Sequence, residues 1–331
     1  MDGLHAFSTR RTVVTTFPGS APVSQRSLKT AIGCVGVGLH SGRKIAMAMH
    51  PAPAGHGIVF RRTDLAGSPE IPARYDHVVD TRLCTVLGLP DCPDVRVGTV
   101  EHVLAALAGC GISNAVIEVN GPEVPVLDGS ATNFVFLIDC AGTLEQDEAV
   151  DVIEVMRPVQ VEDGAAHARL LPCPFGFEAS VSIAFEAAAV GSQSISLRVT
   201  PESFRAELSR ARTFTMAGDV DKLRAAGLAL GGSLDNAVVV DDDRVLNPGG
   251  LRMADEFVRH KMLDAVGDLG LAGATLRGRL VSHRSGHALN NKLLRALFSD
   301  EANWRTVPAM LRQPRPISGG QPVLRIAAAA A

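Results

Sequence analysis

Residues 256–271 read Glu-Phe-Val-Arg-His-Lys-Met-Leu-Asp-Ala-Val-Gly-Asp-Leu-Gly-Leu, and within them His260, Asp264 and Asp268 recur at every fourth position. On a helix that spacing stacks the three polar side chains along one face, while Leu263, Val266 and Leu271 can turn toward a core. An imidazole and a carboxylate one turn apart are two preorganised metal ligands. A hydrolytic zinc site takes three protein ligands and leaves the fourth position to water, so one ligand must come from elsewhere in the chain.

His102 is the candidate. Glu101-His102-Val103-Leu104-Ala105-Ala106-Leu107-Ala108-Gly109 echoes His260-Lys261-Met262-Leu263-Asp264-Ala265-Val266-Gly267-Asp268: each carries a histidine followed by a small-residue, Leu/Ala/Val-rich helix. If the two halves of the chain are related folds, the two histidines are equivalent and meet at the domain interface, where a metal can sit between them. Ala/Leu-rich helices also resemble one another by composition alone, and a lone histidine on such a helix can equally be core packing.

The chain has 331 residues, 46% of them hydrophobic, and a net charge of −3. That is enough for two domains with substantial cores. No uninterrupted run of 18 apolar residues is present, which argues against a membrane span, and the near-neutral charge argues against a general nucleic-acid binder. The six cysteines form no C-x-x-C pair and lie mostly in apolar stretches, the pattern of reduced thiols in a cytoplasmic protein.

Residues 1–26 hold Arg10, Arg11 and Arg26 against one acid, Asp2, without apolar periodicity; they are expected to form a flexible extension, with a transit peptide as the competing reading. Alternation at 45–49, 58–60, 115–119 and 159–161 predicts strands, and helices are expected at 99–108, 130–140, 202–210, 219–226, 254–270 and 288–298. The expected fold is α+β, with two related layered βααβ-type domains and the active site at their interface. The acid-rich segment Glu145-Gln146-Asp147-Glu148 marks the boundary, giving a first domain over 27–147, a second over 148–325 and a tail over 326–331.

Competing motifs fail on spacing. Gly36-Val37-Gly38-Leu39-His40-Ser41-Gly42 has its third glycine one residue too late for a dinucleotide fingerprint, and Walker A, H-E-x-x-H and Gly-x-Ser-x-Gly sequences are absent. A dispersed metal site remains.

Seven motifs in order carry a more specific message: Gly36–Gly42 as quoted, Thr99-Val100-Glu101-His102, Leu127-Asp128-Gly129-Ser130, Ser209-Arg210-Ala211-Arg212-Thr213-Phe214, Gly231-Gly232-Ser233-Leu234-Asp235-Asn236, Phe257-Val258-Arg259-His260-Lys261-Met262-Leu263-Asp264 and Ser285-Gly286-His287-Ala288-Leu289-Asn290-Asn291. Together they resemble the UDP-3-O-acyl-N-acetylglucosamine deacetylases, zinc amidases of lipid A biosynthesis, over roughly residues 27–300. The resemblance implies zinc held by His102, His260 and Asp264, in a set that also accepts iron(II). It further implies Glu101 as general base and His287 as general acid, the latter favoured in its imidazolium form by Asp268. Thr213 would stabilise the oxyanion. Lys261 joins the catalytic set and, with Arg284, faces the substrate's anionic and polar groups.

Phe185 matches a position near the nucleotide, and Phe214 and Ala237 are further expected substrate contacts. The acyl chain would lie in a passage built by a βαβ insert in the second domain, walled by Leu223, Ala226, Leu228 to Leu230 and Ala237 to Val239. Some relatives carry a lysine after the Val161–Gly164 turn; Ala165 and Ala166 stand there, which shifts diphosphate contacts toward Lys261 and Arg284. Plainer roles compete: Glu101 as a first-turn carboxylate on a helix dipole, Asp268 as an ordinary i,i+4 partner, Thr213 as a helix cap. His40 and Asp128 read as supporting loop residues. A fused deacetylase-dehydratase is disfavoured because the chain ends soon after 300, and a binding module that has lost its metal is disfavoured by the intact set Glu101, His102, His260, Asp264 and His287. The partner is a UDP-linked acylated amino sugar, with no nucleic acid and no stable membrane insertion, and the protein is expected to act as a cytoplasmic monomer.

Overall fold

Two helices, α1 (Glu101–Gly109) and α5 (Glu256–Gly270), cross at the centre of the molecule. Eight of the nine residues of α1 and twelve of the fifteen of α5 are buried, as expected for helices covered on every side rather than along one stripe. Close approach is set by Gly267: a Cβ there would lie 2.0 Å from the Glu101 carbonyl oxygen. A mid-helix glycine costs roughly 1 kcal/mol relative to alanine, and here it lets the two helix backbones touch.

This computed structural model describes residues 21–311. One five-stranded sheet has the order Ile32–Val37, Lys44–Pro51, Ala115–Val119, Ile58–Arg62, Glu70–Pro72. Its central strand runs antiparallel to Lys44–Pro51 (Ile117 opposite Met49) and parallel to Ile58–Arg62 (Ile117 opposite Phe60). A seven-stranded sheet is centred on Thr275–His283, which pairs with Ala166–Leu171, Asp151–Val155 and Phe177–Ala184. The element order helix–strand–helix occurs twice: α1, Ala115–Val119, α2 (Thr132–Ala141), then α5, Thr275–His283, α6 (His287–Phe298). Leu104, Leu107, Phe134 and Ile138 from the first set join Phe257, Leu263, Leu293 and Leu297 from the second in one apolar core.

The mixture of helices with several sheets is the expected α+β class. All four predicted strands are present. The helix expected at 202–210 is instead a short α3 (Pro201–Ser203), capped by Thr200, followed by a π-helical turn over Phe204–Leu208. A βαβ unit is present where the insert was expected: Phe214–Met216 runs parallel to Val238–Asp241, with α4 (Ala217–Ala225) between them.

The flexible extension assigned to 1–26 requires correction at its end. Ala21–Pro22 pairs with Met310–Leu311, and Ser24–Leu28 pairs with Thr143–Ala149, a strand that runs across the 147/148 boundary. Ser24-Gln25-Arg26-Ser27 lacks apolar periodicity, yet its ladder is held by backbone bonds, by Ser27 Oγ donating to the Asn114 carbonyl (2.8 Å) and by an Arg26–Glu145 ion pair (2.8 Å). Residues 1–20 and the tail at 326–331 lie outside the described residues.

Candidate metal and acid-base site

The α1–α5 crossing brings His102 to the His260–Asp264 pair. Their ligand atoms all lie within 4.8 Å of one another, and the two imidazoles meet nearly edge to face with centroids 5.0 Å apart. His260 Nδ1 is 3.1 Å from the Ala211 carbonyl, which can only accept, so the proton resides on Nδ1 and the Nε2 lone pair points at Asp264 Oδ1, 3.2 Å away. His102 Nε2 lies 3.7 Å from the same oxygen. Asp264 Oδ2 accepts from Lys261 Nζ at 2.9 Å, whereas its buried Oδ1 has no hydrogen-bond partner, nor does His102 Nδ1.

Burial drives the His260 pKa down to about 4 against the pull of Asp264, so its lone pair is free at neutral pH. Burial would raise Asp264, but its contacts with the His260 imidazole and the Lys261 ammonium hold it well below the usual carboxylate range. An ionised, buried oxygen with no donor, facing imidazole lone pairs, is costly unless a cation joins it. The three residues therefore fit a metal ion, and an N,N,O set suits a divalent ion of the zinc type.

Beside this group stands an acid-base pair. Glu101 opens α1, Asp268 lies one turn beyond Asp264, and His287 opens α6. Asp268 Oδ2 accepts from His287 Nδ1 (2.9 Å) and Asn290 Nδ2 (2.8 Å), and its Oδ1 accepts from Thr85 Oγ1 (2.6 Å). The Thr85 backbone N–H also donates to Glu101 Oε2 at 3.0 Å. Burial works against the His287 cation, yet Asp268 and Glu101 outweigh it and push its pKa up to about 9. Burial raises Glu101, countered by His287 and His102. Two groups in one site are thus tuned so that the imidazole holds its proton while the carboxylate is made more basic. Thr99, just ahead of this pair, adopts φ +55°, a strained conformation for a β-branched residue, and its hydroxyl donates to Glu123 at 3.3 Å.

A cavity of about 610 Å³ opens beside Lys261 and brings together Phe185, Lys261, Arg284 and Ser285, with Ile183, Met216 and Val240 supplying apolar wall. Phe214 links it to the metal group, edge-on to Phe185 (5.4 Å) and to His260 (6.4 Å), with Lys261 Nζ 5.8 Å from its ring centre. Burial opposes the Lys261 charge, but Asp264 more than compensates and raises its pKa, so the ammonium persists at neutral pH. Arg284 sits exposed at φ +52°.

Thr213 is fixed by its N–H donating to Gly129 (2.8 Å) and its carbonyl accepting from Val238 (2.8 Å). Gly129 has φ +79°, and a Cβ there would lie 2.0 Å from the Asn236 carbonyl oxygen, so the 127–130, 209–214 and 231–236 motifs converge on a point only glycine can occupy. Ala237 stands apart from the other expected contacts: it is buried, its carbonyl accepts from Asn247, and it is not part of the cavity wall. His40 and Asp128 have supporting contacts: the His40 N–H donates to Glu123, and Asp128 pairs with Arg252 at 2.9 Å. Sequence reasoning missed Thr85, which sits in no motif, and gave Asn290 no role although the Ser285–Asn291 motif contains it.

The sequence model of the family UDP-3-O-acyl N-acetylglycosamine deacetylase matches residues 25–299. Among similar proteins, the UDP-3-O-acyl-N-acetylglucosamine deacetylase of Idiomarina loihiensis is 50% identical over 287 residues, covering 86% of this chain and 93% of the relative. That of Myxococcus xanthus is 49% identical over 290 residues (88% and 91%), and that of Shewanella pealeana 45% over 302 residues (91% and 98%). With a buried His₂Asp group, an adjoining carboxylate and imidazolium, and matches of this extent, the chain belongs to the UDP-3-O-acyl N-acetylglycosamine deacetylase family of hydrolases.

Proposed function

We propose that the protein removes the N-acetyl group from UDP-3-O-acyl-N-acetylglucosamine, releasing acetate and the free amine, with Zn²⁺ held by His102, His260 and Asp264. The observation that carries this reading is the unpartnered Asp264 Oδ1 facing two imidazoles, beside a carboxylate and an imidazole of opposed proton affinities. When bound, the metal supplies Lewis acidity to the attacking water and the acetamide carbonyl. Glu101 takes the proton from the water, a role its raised pKa suits, since a base closer to neutrality accepts a proton more readily. His287, held as imidazolium by Asp268, delivers a proton to the amine nitrogen as the C–N bond breaks. Thr213 donates its hydroxyl to the oxygen that gains charge.

Lys261 and Arg284 bind the substrate's polar and anionic groups at the cavity, and Phe185 stacks on the uracil ring. The βαβ unit at 214–241 receives the acyl chain, with its apolar residues, Leu230 among them, as the wall. The chain divides near residue 148 into two related domains, and the enzyme works as a cytoplasmic monomer in lipid A synthesis. No helix among the described residues is long and apolar enough to cross a membrane. Iron(II) suits the same ligands and is the alternative ion in the cell.

One preparation tests the reading: protein purified without chelator, analysed for metal and assayed for acetate released from the UDP-sugar. One zinc or iron per chain with chelator-sensitive release is expected. Full activity in metal-free protein would overturn it.

A further inference from the structure

Glu256 lies one helical turn before His260 on α5 and is completely buried. Four donors converge on its carboxylate: Oε1 accepts from the Arg212 backbone N–H (3.0 Å) and Arg212 Nε (2.8 Å), and Oε2 from Arg212 Nη2 (3.0 Å) and the Arg252 backbone N–H (2.6 Å). Burial disfavours its charge, but the Arg212 side chain and these backbone donors pull its pKa below the ordinary value, so it remains ionised.

The Arg212 N–H and the Ala211 carbonyl belong to the same peptide plane. Glu256 grips the N–H end at 3.0 Å while His260 Nδ1 grips the C=O end at 3.1 Å. A trans peptide is rigid and its N–H and C=O point in opposite directions, so two side chains one turn apart on α5 hold a single plate from both sides. We propose that Glu256 is a positioning residue for the metal centre, fixing the 211–212 peptide so that the Ala211 carbonyl orients His260 with Nε2 toward Asp264. An anion on the N–H also makes the carbonyl a better acceptor, which strengthens its hold on the imidazole proton. The same grip sets the register of Thr213, one residue further along, and through Arg252 it ties in the 127–130 loop, where the Arg252 guanidinium meets Asp128 at 2.9 Å.

This inference rests on the metal reading above, and the test separates the two. Zn²⁺ affinity is measured by competition with a chromophoric chelator for the wild type, Glu256→Gln, Glu256→Asp and Arg212→Lys, alongside thermal unfolding of each metal-free protein. Glu256→Gln replaces an acceptor-only group with an amide that turns N–H toward Arg212's donors. Its Zn²⁺ dissociation constant is expected to rise about 10–100-fold, the range for outer partners of metal ligands. Glu256→Asp keeps the charge opposite Arg212 but draws it back from the peptide, and the same rise is expected, which keeps the test open if the Gln variant does not fold. Arg212→Lys retains the backbone N–H bond; it should lower the melting temperature yet leave the dissociation constant within about threefold.

Equal affinities in the wild type and both Glu256 variants would overturn the inference while leaving the metal centre standing. So would losses of affinity in Arg212→Lys as large as those in the Glu256 variants, since these would mark a merely structural ion pair. A wild-type protein that takes up no Zn²⁺ would overturn the metal centre and the inference together.

Discussion

At and beside the α1–α5 crossing, four ionisable groups are each fixed by a named neighbour: Asp264 by Lys261, His260 by the Ala211 carbonyl, Glu101 by Thr85, and His287 of α6 by Asp268. Helix α4 in the βαβ insert is the opposite case, with no buried residue at all, and Leu230 and Leu234 nearby are 53% and 42% exposed. The contrast matches what each region would handle under the proposed function. Developing charge is stabilised only by dipoles already in place, whereas a hydrocarbon chain needs apolar area without fixed direction. Substitutions at the crossing should therefore act on turnover in large steps, and substitutions in the insert on binding in small ones.

The largest effect is expected from the metal group. Asp264→Ala removes the oxygen that both imidazoles face and should abolish stoichiometric metal and nearly all activity, with the far-UV circular dichroism unchanged. Full metal content in this variant would break the comparison at its strongest point. Next comes Glu101→Gln, which should keep the metal and lose on the order of 10²–10⁴ in turnover. A loss below tenfold would give Glu101 an electrostatic role only.

His287 provides a pH test with a definite sign. Its folded pKa of about 9 lies above the ordinary 6.5, so the His287–Asp268 contact stabilises the protein fully below about pH 6.5 and loses that contribution as pH rises through 9. In metal-free protein, His287→Ala should remove this stability difference between pH 6 and 9.5, read by denaturant unfolding. In the active enzyme the same substitution should remove the basic limb of the rate profile and leave the acidic limb, set by Glu101 with the attacking water. An unchanged basic limb would assign the proton donor elsewhere.

The crossing was also the more legible region. The i,i+4 period of His260, Asp264 and Asp268 fixes a helix face whatever surrounds it, whereas His102 rests on a compositional echo that core packing explains equally well, and on the family resemblance. Thr85 was not legible, because its two bonds reach Glu101 and Asp268, 16 and 183 residues away, and nothing local marks a threonine that bridges them. The Ser24–Leu28 strand was missed for a related reason, since its polar sequence is stabilised by a partner more than a hundred residues distant. In the insert, sequence could place apolar residues but not say which are covered. Ala237 is buried core, while Leu230 is open. Leu230 stands where the 229–236 turn docks onto the 38–42 loop, the Leu230 and Gly231 N–H groups donating to the His40 and Leu39 carbonyls.

That docking sets the smallest expected effect. The Leu230 N–H donates to the His40 carbonyl at 3.2 Å, while its side chain is half exposed. Burying a whole leucine side chain gives about 1.5–3 kcal/mol, and covering the exposed half about 1 kcal/mol, or roughly fivefold in affinity. Leu230→Ala should therefore raise KM about fivefold for a long-chain substrate and leave it unchanged for a short-chain analogue. Melting temperature and metal content should not move, since the side chain contributes little to the core. Equal KM changes for both substrates would show that the hydrocarbon does not pass over Leu230, and the apolar wall would then be sought at Ile183, Met216 and Val240, which already line the cavity beside Lys261.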